Sequence, residues 1–265
     1  MDKNQAEDLV YGQLKELMLP SGFMVKIREQ NGNDDDIISN QATSSDLSNF
    51  NIFLSSLIIW TDLPFAVNNK LTAELIKKLL LRDKYFILFA SRCHSMGNLV
   101  KFDYDWGKTE GGKLTYTEDV SRYLWDYSKP MPEVTSDDFF EYRIKPYEVE
   151  NPYGLQERTL EGGKKVRFRL MDGHSESWLM GLPIDQQTKN TEIRARGLEL
   201  LVESKWEKVE NFMYFSKKEM SSLRNVMKEV DTQFSGLTDL ENPATGQTIK
   251  YPIISVQDFF YPEEI

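Results

Sequence analysis

The sequence predicts an α+β protein built from two diverged copies of one strand–helices–ribbon-turn module, joined by an irregular aromatic connector. Three observations predict this. Alternating apolar–charged segments open both halves, helical periodicity follows each of them, and a set of glycines recurs at a nearly constant offset. The expected divisions are 1–106 for the first module, 107–160 for the connector or docking arm, and 161–265 for the second module.

Taken in order, Leu9, Val10, Leu14, Leu17 and Met18 have helical spacing that Pro20 ends. Ser21-Gly22 turns the chain into Val25-Lys26-Ile27-Arg28, which alternates as a half-buried strand does. Residues 29–50 read as a polar loop centred on Asp34-Asp35-Asp36, and Phe53 to Phe65 is apolar again. Thr72 can cap a helix carrying Leu75, Leu79, Phe86 and Phe89. Gly97 closes it, and Val100 to Asp105 alternates like a strand. The connector holds Pro130, Pro132, Pro146 and Pro152, with one short helix expected near Ser136–Tyr142. In the second half, Val166 to Leu170 is a strand and Thr191 to Val209 has helical spacing. Ser216-x-x-Glu219 is a capping box ahead of Met220, Leu223, Met227 and Val230 on one helical face.

The repeat is specific in its residues. A shift of 141 positions lays Gly22, Val25, Lys26, Ile27, Arg28 and Gly32 on Gly163, Val166, Arg167, Phe168, Arg169 and Gly173. A shift of 149 lays Gly97-x-x-Val100-Lys101-Phe102 on Gly246-x-x-Ile249-Lys250-Tyr251. Just before these glycines, Cys93-His94-Ser95-Met96 and Asn242-Pro243-Ala244-Thr245 look like knuckles of the form C-P-x-C-G that have lost ligands. Of the four ligand positions, Cys93, Met96, Asn242 and Thr245, only Cys93 retains a thiol, so a tight turn without metal is expected.

At this point the chain resembles a known family, the phage tail proteins related to the T-even-type baseplate hub subunit and its hub-assembly proteins. The resemblance rests on Leu19-Pro20-Ser21-Gly22 with its strand and acidic stretch, on Leu80 to Leu88 with Arg92, and on the knuckle. The same order returns in the second half, and Phe259-Phe260-Tyr261-Pro262 is similar to the family's aromatic ending. The departure is the missing cysteines. The resemblance implies a virion or assembly role beside other tail and baseplate proteins, and no catalytic residues to carry over. It implies a place in the virion tail, with the host cytoplasm as the site of assembly, and leaves a homo-oligomer in a symmetric ring open.

Composition is consistent with that expectation. The chain has 265 residues, 40% apolar, and a formal charge of −10, which opposes phosphate backbones and anionic membranes. A single cysteine excludes an internal disulfide, and the start lacks the pattern of a signal peptide. The most apolar run, Ile52 to Trp60, is about half the length of a membrane span.

No catalytic constellation emerges. His174-Ser175-Glu176 has the H-x-E form of a zinc deaminase without the P-C-x-x-C partner, and reads as a loop histidine. His94 beside Cys93 has no orienting acid at a useful spacing. Asp34-Asp35-Asp36 lacks the alternation and glycine of a calcium loop, and reads as a solvated loop or a surface for a basic partner. The aromatics remain. Tyr123, Trp125 and Tyr127 in the connector and Phe259, Phe260 and Tyr261 in the tail are candidate partner anchors. A structural interaction protein of the baseplate or hub is therefore expected, without cofactor or enzyme activity. Two alternatives stand beside it, a tail-assembly chaperone absent from the finished particle and an enzyme with an unrecognised carboxylate site.

Overall fold

The computed structural model describes residues 13–40, 48–107, 111–130, 142–232, 234, 236–255 and 257–260. It is a mixed α/β structure of several small antiparallel sheets and short to medium helices. The helix expected near Ser136–Tyr142 lies almost wholly outside the described residues.

The first hairpin joins β1 (Lys15–Met18) to β2 (Met24–Ile27). Its turn is closed by Leu19 N–H donating to Phe23 O at 2.7 Å and Gly22 N–H to Leu19 O at 2.8 Å, with Gly22 at φ +85°. The described end of the expected N-terminal helix is thus a strand. Pairing with β2 satisfies its backbone and buries Leu17 and Leu19 together, which local helical spacing could not weigh.

Helix α1 (Gly32–Ile38) replaces the expected acidic loop. Asn31 caps it, and Asp34 is its reciprocal capping-box partner. Helix α2 (Ser48–Leu57) buries Phe53, Leu54 and Leu57 and runs directly into β3 (Ile58–Thr61), which pairs with β2. Thr72 caps α3 (Ala73–Ile76), its hydroxyl accepting from Leu75 N–H. The helical path is then interrupted, with Leu80 extended, before α4 (Leu81–Met96). From Phe86 to Ala90 every residue of α4 is at most 6% exposed, so the helix is surrounded, as its sequence suggests.

Strand β4 (Leu99–Asp105) pairs along its whole length with β5 (Lys113–Asp119). The expected irregular connector therefore supplies a strand. Its Leu114, Tyr116 and Glu118 point inward in strict alternation with exposed neighbours.

The second sheet has the order β6 (Gln156–Thr159), β7 (Lys165–Phe168), β8 (Glu199–Val202), β9 (Lys205–Lys208), all antiparallel. Helices α5 (Gly173–Met180) and α6 (Thr191–Ala195) lie between β7 and β8. The helix expected over Thr191 to Val209 stops at Ala195. Gly197 turns at φ +63°, and Glu203 and Ser204 take positive φ in a two-residue hairpin turn. Helix α7 (Lys217–Val230) starts with the expected Ser216–Glu219 capping box and buries Met220, Leu223, Met227 and Val230.

The last described segment is β10 (Leu237–Glu241), β11 (Thr248–Pro252) and α8 (Gln257–Phe260). It returns to the first core. Tyr251 stacks on Phe102 at 5.3 Å and 3°, and Leu240, Ile253, Phe259 and Phe260 join the cluster that holds Phe53, Phe89 and Val100. A second cluster, around Val166, Phe168 and Leu223, fills the space between the second sheet and α7. Among the described residues, no helix is long and apolar enough to cross a membrane.

The offset of 141 holds in three dimensions at the start of each half. The bounds of β1 and β2 fall on those of β6 and β7. Leu160 N–H donates to Lys164 O and Gly163 N–H to Leu160 O, with Gly163 at φ +86°. Asp172 caps α5 where Asn31 caps α1. The 149 offset holds for the strands, which start at Leu99 and Thr248, and for the positive φ of Gly97 and Gly246, but not for the turns before them. Gly97 ends a helix, whereas Gly246 lies in the turn between β10 and β11, so the two knuckles occupy different kinds of turn.

Candidate functional site

The densest polar chemistry lies where the two cores meet. The extended residue before α4 lets Leu81 N–H donate to Met171 O at 3.0 Å, and this ties the helix start to the second lobe. The next three residues are all charged and all buried: Arg82 at 4%, Asp83 at 0% and Lys84 at 7% exposure. Successive side chains on a helix diverge by about 100°, so each enters a different neighbourhood.

Arg82 donates from Nε to Thr232 O at 2.8 Å and from Nη1 to Pro146 O at 2.8 Å, with its guanidinium 4.3 Å over the Tyr147 ring. Asp231 lies 4.0 Å away, pairs with Arg196, and accepts Met171 N–H at 2.8 Å. Asp83 accepts Ser21 N–H at 3.0 Å and the Tyr153 hydroxyl at 2.6 Å. Lys84 pairs with Glu176 at 2.6 Å, and Glu176 also accepts the Tyr85 hydroxyl at 3.0 Å.

A buried charge costs several kcal/mol unless it is paired; Arg82 and Lys84 face Asp231 and Glu176, whereas Asp83 has only the neutral donors of Ser21 and Tyr153. Burial lifts the Asp83 carboxyl to about 6, against the pull of its Ser21 and Tyr153 donors and of Arg82. Burial also drives Tyr153 and Tyr147 well above the usual tyrosine range. These groups hold elements together. Glu176, the acid of the H-x-E pattern, is engaged by Lys84 and Tyr85, and His174 is exposed between the buried Gly173 and Ser175 in the first turn of α5.

The first lobe has its own buried pair. Arg28 reaches Asp34 through two bonds of 2.7 Å, with Asp34 fully buried. Burial opposes the charge, but the bonds from Arg28, Asn31 N–H and Ser56 outweigh it and hold the Asp34 carboxyl below its ordinary value. Asp34 is thus a structural anchor rather than part of a solvated loop. Only Asp35 and Asp36 are exposed.

The aromatic candidates turn inward. Tyr123 is 1% exposed and donates to Glu118 at 3.0 Å; burial pushes its hydroxyl up to about 12. Trp125 is half-buried with the Arg143 guanidinium 5.7 Å over its ring, and Tyr127 donates to Ile144 O. Phe259 and Phe260 are 1% and 7% exposed, packed on Phe89 and Phe50. Tyr261 lies outside the described residues. The described aromatics are anchors for this chain's own core, because the first lobe needs their area to close over α4.

The knuckle residues are dispersed. Cys93 is half-buried within α4, its thiol pushed up to about 11 by burial, and Met96 is the last residue of that helix. Asn242 is fully buried and accepts Ala244 N–H at 2.9 Å, while Thr245 is exposed and accepts Gln247 N–H at 3.3 Å. Among the described residues, no group of three or more His, Cys, Asp or Glu could hold a metal ion.

Sequence reasoning missed the joint. Its signal was present as Arg82-Asp83-Lys84 running directly into the apolar stretch Phe86 to Ala90, which brings the first turn of the helix against the core. Comparison of the chain with protein-family models, with curated proteins and with solved structures finds no match.

Proposed function

We propose that this protein is a structural interaction component of a bacteriophage tail baseplate or hub, working beside other tail proteins in assembly and without catalytic chemistry. The observation that carries the reading is what the family-like motifs are used for. Leu19 to Gly22 makes the tight turn of a hairpin, and Leu80 to Leu88 forms the buried joint between the cores. Each supports shape, and the charged groups in them are engaged within the chain. Two related lobes joined by such a rigid polar contact suit a part that must hold its neighbours at fixed positions. The common offset of the two hairpins and their caps supports a module duplicated once.

The test is mass spectrometry of purified virions from an infected culture. The chain should be present at several copies per tail. Its absence from particles, with presence in the lysate, would replace this reading with that of an assembly chaperone.

A further inference from the structure

We infer that the second lobe carries a carboxylate-binding cleft for an acidic segment of a partner protein. The argument starts from the two arginines that the 141 offset brings together, Arg28 and Arg169. Their backbones are placed alike. Arg28 N–H donates to Leu57 O at 3.1 Å and Arg169 N–H to Arg196 O at 3.0 Å, in both cases just ahead of the strand that pairs next. Their side chains are not. Arg28 is clamped by the carboxylate of Asp34, the third residue of its capped helix. The residue at the same place in the second lobe is Ser175, whose hydroxyl is engaged with Asp172 and with Ala195 O.

Arg169 has therefore lost the acid that its counterpart keeps. It is exposed, and among the described residues no carboxylate comes within ion-pair distance of it or of Arg194. Both line a concavity of about 450 Å³ together with Trp178, His174 and Lys208. Gly197 leaves room for the guanidinium, since a Cβ there would come within 3.3 Å of Arg169 Nη2. Lys208 has a nearby acid, Glu210 at 4.0 Å, which also lines the concavity.

Two uncompensated guanidinium groups in one concavity run against the chain's charge of −10. At physiological salt the field of distant acids is screened beyond about 8 Å, so the local pair decides what binds. A guanidinium prefers a carboxylate in a forked pair, the contact that Asp34 makes in the first lobe. Trp178, 44% exposed, forms an apolar wall, and Met180 and Ile184 beyond it are 58% and 88% exposed. The fitting occupant is an Asp or Glu of a partner chain flanked by apolar or aromatic residues. This rests on the interaction-protein reading for its biological use only.

The experiment is a calorimetric titration of the full chain with acetyl-Phe-Asp-Asp-Ile-amide, with its Phe-Asn-Asn-Ile counterpart, and with inorganic phosphate. The aspartyl peptide should bind at least about tenfold tighter than the other two. Arg169→Gln, at an exposed position, should weaken it about tenfold. Ser175→Asp should do the same by supplying from within the carboxylate that Asp34 gives Arg28. Equal binding of the two peptides, phosphate binding as tightly as the aspartyl peptide, or unchanged affinity in Arg169→Gln would each overturn the proposal. A folded Ser175→Asp protein with undiminished affinity would overturn it as well. A failed titration would leave the virion census untouched, and a failed census would leave the cleft standing.

Discussion

The two lobes begin alike and end differently. Over the first hairpin and the cap of the following helix they agree residue for residue at one offset, down to a glycine at φ +85° in one and +86° in the other. Past that point both lobes place two helices before their third strand, but only the second adds a fourth strand to its sheet. The ribbon that ends the second half abandons its own lobe and packs on the first core. Features set by short-range chemistry, such as turn glycines and caps, coincide at that offset. Features set by what lies opposite in space differ.

The sharpest contrast inside that common frame is the arginine corner, and its largest test is there. Asp34→Ala would leave Arg28 buried without its acid and should cost about 4 kcal/mol. Ser175→Ala at the matching place removes only hydroxyl hydrogen bonds and should cost about 1 kcal/mol. Urea denaturation of both variants measures the difference. Equal losses would mean that the Arg28–Asp34 pair contributes nothing beyond a hydroxyl contact.

The comparison extends to a second buried acid. Asp34 faces a guanidinium and its carboxyl is held low, whereas Asp83 faces the neutral donors Ser21 N–H and the Tyr153 hydroxyl, with Arg82 and Tyr147 near, and is lifted to about 6. The signs oppose. Stability from Asp34 is present above its unfolded value near 4 and is lost only as pH falls through its lower folded value. Stability from Asp83 is full below an unfolded value near 4 and is lost as pH rises through about 6. Between pH 4 and 7 only Asp83 of the two changes its contribution, by up to about 3 kcal/mol. Asp83→Asn, which mimics the neutral form, should therefore gain on the wild type by up to that amount as pH rises from 4 to 7. A stability gap that stays constant over that range would show that Asp83 titrates normally.

How much of this was legible in the sequence follows the same division. The capping boxes and tight turns could be read because their signals lie within four residues. Ser216 with Glu219 and Gly22 with Gly163 are found where expected. Asn31 with Asp34 carried the same signal but was hidden in an acidic stretch that resembles a loop. The strand at Lys15 to Met18 and the hairpin at Glu199 to Lys208 have helical spacing, and pairing across a sheet depends on partners that spacing does not reveal. The Pro-rich setting of the connector aromatics and the terminal setting of Phe259 and Phe260 make them candidate anchors for a partner as much as for their own core. Their burial is decided by residues such as Phe89, far away along the chain. The joint and the cleft escaped for the same reason, since both are meetings of residues from both halves or from separate elements.

The smallest expected effect tests whether the shared hairpin is shared in energy as well as in form. Gly22 and Gly163 occupy the same left-handed turn position, and a Cβ at either would meet nothing within 4 Å. Steric contact is thereby removed from the comparison and only the backbone cost of a positive φ remains, about 1 kcal/mol for alanine. Gly22→Ala and Gly163→Ala should each lower stability by that amount, and by the same amount within about 0.5 kcal/mol. Thermal or urea unfolding of the two variants decides it. A loss confined to one of them would mean that its turn relaxes away from the left-handed region, and that the two hairpins agree in outline without bearing the same local strain.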